Sequence, residues 1–284
     1  MQSSDLSTSG RTGRFPAHGR GSWRARRRVS PGWAIAVGII AGLVALPVAA
    51  IAVLALSAGF ETWPHLLRTI LPGALATTLM VMAGVAAITL VVGAGTAWII
   101  TMYRFPGRGL LDRLLVIPLA VPTYIAAYCY VDLLGYAGPV QGALRAFFEW
   151  RTPRDYWFPD IRSTTGAIFL LASVLYPYVY LAARASFVQQ SICVLEVART
   201  LGRTPWGTFI SVALPLARPA LAAGVALVLM ECLNDLGAVQ HLGVETLSAA
   251  LYATWLQRSS LGGAAQIALA ALAVVLILFA IERH

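Results

Sequence analysis

The sequence predicts an all-α integral membrane protein with six transmembrane helices, on three observations. Hydrophobic residues make up 58% of the 284 positions and charged residues only 12%, with a mean hydropathy of +0.74, whereas a soluble domain carries about 25% charged residues. The apolar residues fall in runs long enough to cross a hydrocarbon core of roughly 30 Å, which takes about 20 helical residues. The basic residues collect in the N-terminal tail and between the runs, so the net charge of +9 reports topology rather than nucleic-acid binding.

Residues 1–31 are rich in Ser, Gly and Arg and close on Arg24, Arg26, Arg27 and Arg28. Such a composition buries too little apolar surface to fold, so this segment is expected to be a disordered basic tail in the cytoplasm. The remainder, 32–284, is expected to form one membrane domain. Trp33 to Ala58 makes the first span; it exceeds the 7–15 apolar residues of a signal-peptide core and reads as uncleaved. The second span lies within Leu71 to Ile100, and a basic, turn-rich loop with Arg104, Pro106, Gly107, Arg108 and Arg113 follows. The third runs from about Leu114 to Leu134, with Pro118 and Pro122 breaking its backbone ladder where neighbouring helices or water satisfy the freed carbonyls. From Gly135 to Arg162 the chain turns polar and aromatic, with a short amphipathic helix expected near Gln141 to Trp150. Thr165 to Phe187, Ala217 to Leu236 and Gly263 to Ile281 supply the fourth, fifth and sixth spans.

Six crossings put both termini on one side. Arg104, Arg108, Arg113, Arg184, Arg199, Arg203, Arg218 and Arg283 then share that side with the tail, and the excess identifies it as the cytoplasm. The segment of about 188–216 between the fourth and fifth spans is therefore cytoplasmic.

That segment has its own structure. Ile192, Leu195, Ala198 and Leu201 recur on one helical face, and Gly202 supplies the left-handed residue that ends the helix. Thr204 and Pro205 are a good N-cap and first-turn pair, after which Trp206, Phe209, Ile210, Ala213 and Leu214 follow helical spacing until Pro215 is expected to stop the helix.

Glu196, Val197, Ala198, Gly202, Val212, Leu214 and Pro215 together resemble the cytoplasmic coupling signature of ABC importer permeases. Its pattern is Glu-Ala-Ala, a Gly six positions after the Glu, and a closing Ile-x-Leu-Pro; the departures are Val197 and Val212. The resemblance implies the type I ABC importer permease fold, with Glu196, Val197, Ala198, Arg199, Gly202, Trp206, Phe209, Leu214 and Pro215 coupling it to an ABC ATPase subunit. ATP and Mg would reside on that ATPase, and no cofactor is expected on this chain. It also implies a periplasmic binding protein, a bacterial inner-membrane location, and a second permease half or a homodimer. Tyr176 to Arg184, Gly138-Pro139-Val140 and the segment from Glu231 through Gly243-Val244-Glu245-Thr246 to Trp255 look like the iron(III) permeases. Thiamine, polyamine, 2-aminoethylphosphonate, molybdate and sulfate permeases share the fold. Iron and thiamine permeases commonly hold two halves in one longer chain, whereas a single coupling signature occurs here, so this chain is a half-length subunit or a fragment of a longer product.

Other residues narrow the chemistry. All 21 basic residues are Arg. Without Lys there is neither a Walker A loop nor Schiff-base catalysis, so the chain is not expected to energise itself with ATP through that motif, and with no HExxH, GxSxG or paired catalytic carboxylates with a His standing out it is not expected to be an enzyme. Cys129, Cys193 and Cys232 are far apart and read as small buried apolar residues. Glu231 and Asp235, four apart on the fifth span with Asn234 beside them, share a face. With Tyr178 they are the pathway candidates, set against interfacial or structural roles. Intramembrane carboxylates usually face a cavity, since an unpartnered charge at the bilayer centre costs about 2.5–3.5 kcal/mol or more. His65 and His241 have no ligand cluster around them, and no metal site is expected. Trp150, Tyr156, Trp157 and Phe158 form either a docking surface for the binding protein or an interfacial belt. A gradient-driven transporter using Glu231 and Asp235 as a relay is the alternative class.

Overall fold

The computed structural model describes residues 31–57, 59, 64, 66–190, 197–198 and 200–282. The tail before Pro31, His65, Cys193, Glu196, Arg199 and Arg283 lie outside the described residues. Those described form helices and connecting turns, with no strand among them. In chain order the helices are α1 Pro31–Ser57, α2 Leu71–Met102, α3 Arg108–Leu114, α4 Thr123–Leu134, α5 Pro139–Phe148, α6 Thr164–Gln189, α7 Pro205–Leu216, α8 Arg218–Asn234, α9 Gly237–His241, α10 Leu247–Tyr252 and α11 Leu261–Glu282.

Contacts divide the chain into two compact units at Pro47. In the first, residues 32–47 of α1 form an apolar helix whose side chains are exposed on every face. A helix that is apolar all round is what a hydrocarbon solvent requires. The second unit, from Val48 on, holds the core.

Gly32–Ser57, Leu66–Met102 and Thr164–Gln189 are each long and apolar enough to cross a membrane in one piece. The expected third span, Leu114 to Leu134, is not one helix. A 3-10 turn at Ile117–Ala120 follows α3, Val121 is extended, and the axis turns by 99° before α4 and α5. Pro118 and Pro122 cause the break: each lacks an N–H, and a residue before proline avoids helical angles. A second bend, of 74°, falls between α7 and α8, where the segment of 188–216 meets the expected fifth span. Expected boundaries elsewhere agree to within a few residues, and α5 falls on the predicted amphipathic helix.

The core forms where α2, α6 and α8 pack together through small residues. Val179 of α6 lies between Gly93 of α2 and Gly224 of α8. A Cβ at Gly93 would come within 2.8 Å of the Val179 Cβ and 2.9 Å of the Tyr180 N, and one at Gly224 within 3.1 Å of the Val179 Cα. Close backbone approach of this kind gives membrane helices their van der Waals contact, since lipid removes the hydrophobic drive between them. Side-chain hydrogen bonds tie in the shorter pieces. Thr78 Oγ1 accepts from the Leu247 N at 2.9 Å, satisfying a free N–H at the start of α10. Buried Gln266 donates to the carbonyls of Ala55 and Gly59 at 3.2 and 3.1 Å, closing the C-terminal end of α1.

Candidate functional site

The segment after α6 carries the sequence signature, and its described part is built as two helical pieces about a glycine. Val197, Ala198 and Thr200 are helical, and Gly202 sits at φ 81°. The Arg203 N–H reaches back to the Ala198 carbonyl at 3.1 Å, the six-to-one bond of a left-handed helix end. Thr204 then caps α7: its Oγ1 accepts from the Gly207 N at 3.0 Å, with Pro205 at the first position.

Pro215 does not stop the helix. The turn from Phe209 to Ala213 widens to a π-helix, Leu214 donates to the Phe209 carbonyl, and the chain stays helical to Leu216 before bending at Ala217. The wide turn accommodates a residue that has no N–H to give. Leu201 also departs from the expected common face: Ala198 is buried but Leu201 is 79% exposed, because the chain has already turned toward Gly202.

Phe209 anchors α7 to the membrane helices. Its ring lies 5.1 Å from Trp98 of α2, 6.2 Å from Phe187 of α6 and 5.1 Å from Trp206. Gln190 donates to the Ala213 carbonyl at 3.0 Å. Val197, Leu201, Trp206 (62% exposed) and Ile210 nevertheless leave apolar surface uncovered, and Trp206 and Ile210 border an open, mostly apolar groove of about 730 Å³ with Leu90 and Val91 of α2 and Leu221 of α8. The segment is thus packed on the spans through Phe209 and Ala213 while part of its apolar surface stays exposed.

The other end of the same α6 segment holds an ionic cluster absent from the sequence reading. Asp112 of α3 accepts from the Tyr180 hydroxyl at 2.5 Å and from Arg184 Nη2 at 2.7 Å. Burial works to raise the Asp112 carboxyl, but the hydrogen bonds from Tyr180 and Arg184 and the charges of Arg184 and Arg108 outweigh it and hold the group below the usual carboxylate range. Tyr180 and Arg184 were visible as part of a motif, but Asp112, 68 and 72 residues away, gave no local signal.

Of the four pathway candidates, the fold brings two together. The Tyr178 hydroxyl donates to Glu231 Oε1 across a long 3.4 Å, joining α6 to exposed Glu231 on α8. Asp235 does not share the Glu231 face, since α8 ends at Asn234 and Asp235 is extended at φ −67°, ψ 121°. Its Oδ1 accepts from the N–H groups of Ala238 and Val239 at 3.0 and 3.3 Å, making it the cap of α9, and its carbonyl accepts from Ser248. Asn234 lines a separate, mostly apolar cavity of about 460 Å³ beside α10 and α11.

The loop between α4 and α6 is also ordered by its polar groups. Tyr156 donates to Gln141 Oε1 at 2.6 Å, Gln141 donates to the Leu134 carbonyl, and Trp150 stacks on Tyr156 at 4.7 Å. Trp150 and Tyr156 therefore hold the loop, while Trp157 is 85% exposed. His241 packs on Tyr128 with ring centroids 3.8 Å apart. Cys232 is buried as expected, but Cys129 is exposed on α4.

Comparison with known proteins follows the same outline. A family model described as binding-protein-dependent transport system inner membrane component matches residues 89–284. The sulfate transport system permease protein CysT of Escherichia coli K12 is 31% identical over 218 residues, covering 75% of this chain and 76% of that one. A putative 2-aminoethylphosphonate transport system permease protein, PhnU of Salmonella choleraesuis, is 30% identical over 230 residues, 79% of each chain. The molybdenum transport system permease protein ModB of Escherichia coli K12 is 27% identical over 187 residues, 64% of this chain and 78% of that one. Among solved structures, a bacterial alginate ABC transporter in complex with an alginate pentasaccharide-bound periplasmic protein superposes with a TM-score of 0.72. It covers 88% of this chain and 91% of that one at 16% identity, a likeness of fold.

Proposed function

The chain belongs to the binding-protein-dependent transport system inner membrane components, the permease subunits of ABC importers, and on that premise we propose that it imports iron(III) delivered by a periplasmic binding protein. ATP, with Mg, is hydrolysed on a separate ATPase subunit that docks on the apolar face of the segment around Gly202. Both termini lie in the cytoplasm. A second permease half, either another copy or a partner, completes the pathway.

The observation that carries the substrate reading is the Tyr178–Glu231 pair. A half-buried phenol and an exposed carboxylate on adjoining membrane helices offer hard oxygen atoms and negative charge, which favour a hard cation and oppose an anion. The likeness of Tyr176 to Arg184 and of Glu231 to Trp255 to iron(III) permeases points the same way. A second reading, a tetrahedral oxyanion or phosphonate, is favoured by the relatives named for sulfate, molybdate and 2-aminoethylphosphonate.

One experiment separates them. The chain is reconstituted in proteoliposomes with its ATPase and with the binding protein encoded beside it, and ATP-dependent uptake of labelled iron(III), sulfate, molybdate and 2-aminoethylphosphonate is compared. Uptake of iron(III) alone supports the first reading; uptake of an oxyanion or phosphonate without iron(III) overturns it.

A further inference from the structure

The groove beside α7 has a charged mouth and an apolar interior. Leu90 and Val91 of α2, Trp206 and Ile210 of α7, and Leu221 and Val225 of α8 line most of its 730 Å³ or so. Arg218 is the one ionisable group among the described residues that line it. Because Arg218 begins α8, the groove runs from it along the helix to Val225, about 10 Å at 1.5 Å per residue. On α2 the lining steps back from Trp98, which meets Phe209, to Val91 and Leu90. Both helices therefore carry the apolar part away from the arginine and into the span.

The charge at the mouth has no counterpart in the described chain. Arg218 is exposed and forms neither an ion pair nor a hydrogen bond with a described residue. No acidic residue stands in the first turn of α8. Asp112 is already engaged by Tyr180 and Arg184, while Glu231 and Asp235 close the far end of α8. A second copy of this chain would thus bring apolar side chains but little negative charge to the mouth. A free phosphate would meet the arginine and leave the apolar interior empty. A phospholipid fills both parts, and an arginine fork matches a phosphate in two parallel hydrogen bonds. Basic pockets between membrane helices take anionic head groups in this way. Trp206, 62% exposed beside Arg218 in the groove lining, is the residue type that settles at headgroup depth.

We propose that this groove is a binding site for an anionic phospholipid of the leaflet beside the signature-bearing segment, its phosphate on Arg218 and one acyl chain between α2, α7 and α8. The lipid spans the 74° bend between α7 and α8 and holds the two together. It covers Trp206 and Ile210 and leaves Val197 and Leu201, which do not line the groove, for a protein partner. The site rests on the membrane reading alone, whatever the solute.

The test counts lipid on the permease purified in detergent with its second half and its ATPase. Dioleoylphosphatidylglycerol or dioleoylphosphatidylcholine is added, and bound molecules are counted by native mass spectrometry for the wild type, Arg218→Gln, Arg218→Lys and Gly95→Leu. Gly95 lines the groove, and a Cβ there meets nothing within 4 Å, so Gly95→Leu fills the space without disturbing the helix packing. The wild type is expected to prefer phosphatidylglycerol, and Arg218→Gln to reduce that preference about fivefold while still binding both lipids. Arg218→Lys keeps the charge and is expected to retain most of the preference. Gly95→Leu is expected to bind fewer of both lipids with its ATPase still attached. Equal binding of the two lipids by the wild type, a preference that survives Arg218→Gln, or a count that Gly95→Leu leaves unchanged would each overturn the site. A groove closed by the second half or by the ATPase gives the same count in every variant and overturns it as well. The count needs neither ATP nor solute, so its failure leaves the importer reading standing; a permease that co-purifies with no ATPase refutes that reading instead, and the lipid count is then taken on the permease alone.

Discussion

Gly202 is the residue on which the geometry of the signature-bearing segment turns. Its φ of 81° is open to glycine and costs an L-residue about 1–2 kcal/mol. Gly202→Val is therefore expected to leave membrane insertion intact while reducing ATPase co-purification and uptake together; wild-type retention of the ATPase in pull-down would contradict this. Asp112 makes a pH prediction. Its carboxyl titrates below the usual range in the folded chain, so the stabilisation it provides is present above the ordinary carboxylate value of about 3.9 and is lost as pH falls through the lower folded value. The loss of thermal stability in Asp112→Asn, measured in detergent, is expected to be constant from about pH 8 to pH 5 and to shrink below about pH 4. An Asp112→Asn deficit that grows on acidification would contradict the sign.

At the scale of elements, the packing of α2, α6 and α8 depends on small residues where backbones meet. Gly93→Val forces a side chain into a space already bounded by Val179 and the Tyr180 backbone, and overpacking of this kind costs about 1–3 kcal/mol. The expected result is a lower unfolding temperature in detergent, partly restored by a compensating Val179→Ala; an unchanged unfolding temperature would show that the helices separate more freely than the contact implies. The same elements show what a sequence can reveal. Thr204-Pro205, Gly202 and the helix near Gln141 were legible because caps, left-handed turns and amphipathic periodicity are local. Pro118 and Pro122 were legible as breaks, but a missing N–H does not by itself specify a turn of 99°. Pro215 was misread as a stop because proline commonly ends helices, and nothing local announces a π turn. Asp235 fits helical spacing with Glu231 on paper, yet caps α9 because α8 ends one residue earlier. Asp112 was invisible, since its partners are more than 60 residues away.

At the scale of the molecule, the fold keeps three features apart. α2, α6 and α8 form a closely packed frame, α7 packs on it through Phe209, and Tyr178 with Glu231 places oxygen atoms on adjoining helices. Glu231→Gln removes the charge but keeps the shape. In the iron(III) reading it is expected to lower uptake about tenfold while basal ATP hydrolysis stays coupled to the signature-bearing segment, as one charge-assisted contact is worth about 1.5–3 kcal/mol. An oxyanion pathway predicts unchanged or faster uptake in that variant.

The central claim is that this chain is driven from outside itself, through the segment around Gly202. The most direct measurement is ATP-dependent uptake in proteoliposomes containing the chain and its binding protein, with and without the ATPase subunit, for the wild type and Gly202→Val. Uptake that appears only with the ATPase and falls in Gly202→Val is the predicted result. Uptake that proceeds without the ATPase, driven by an ion gradient alone, would contradict it.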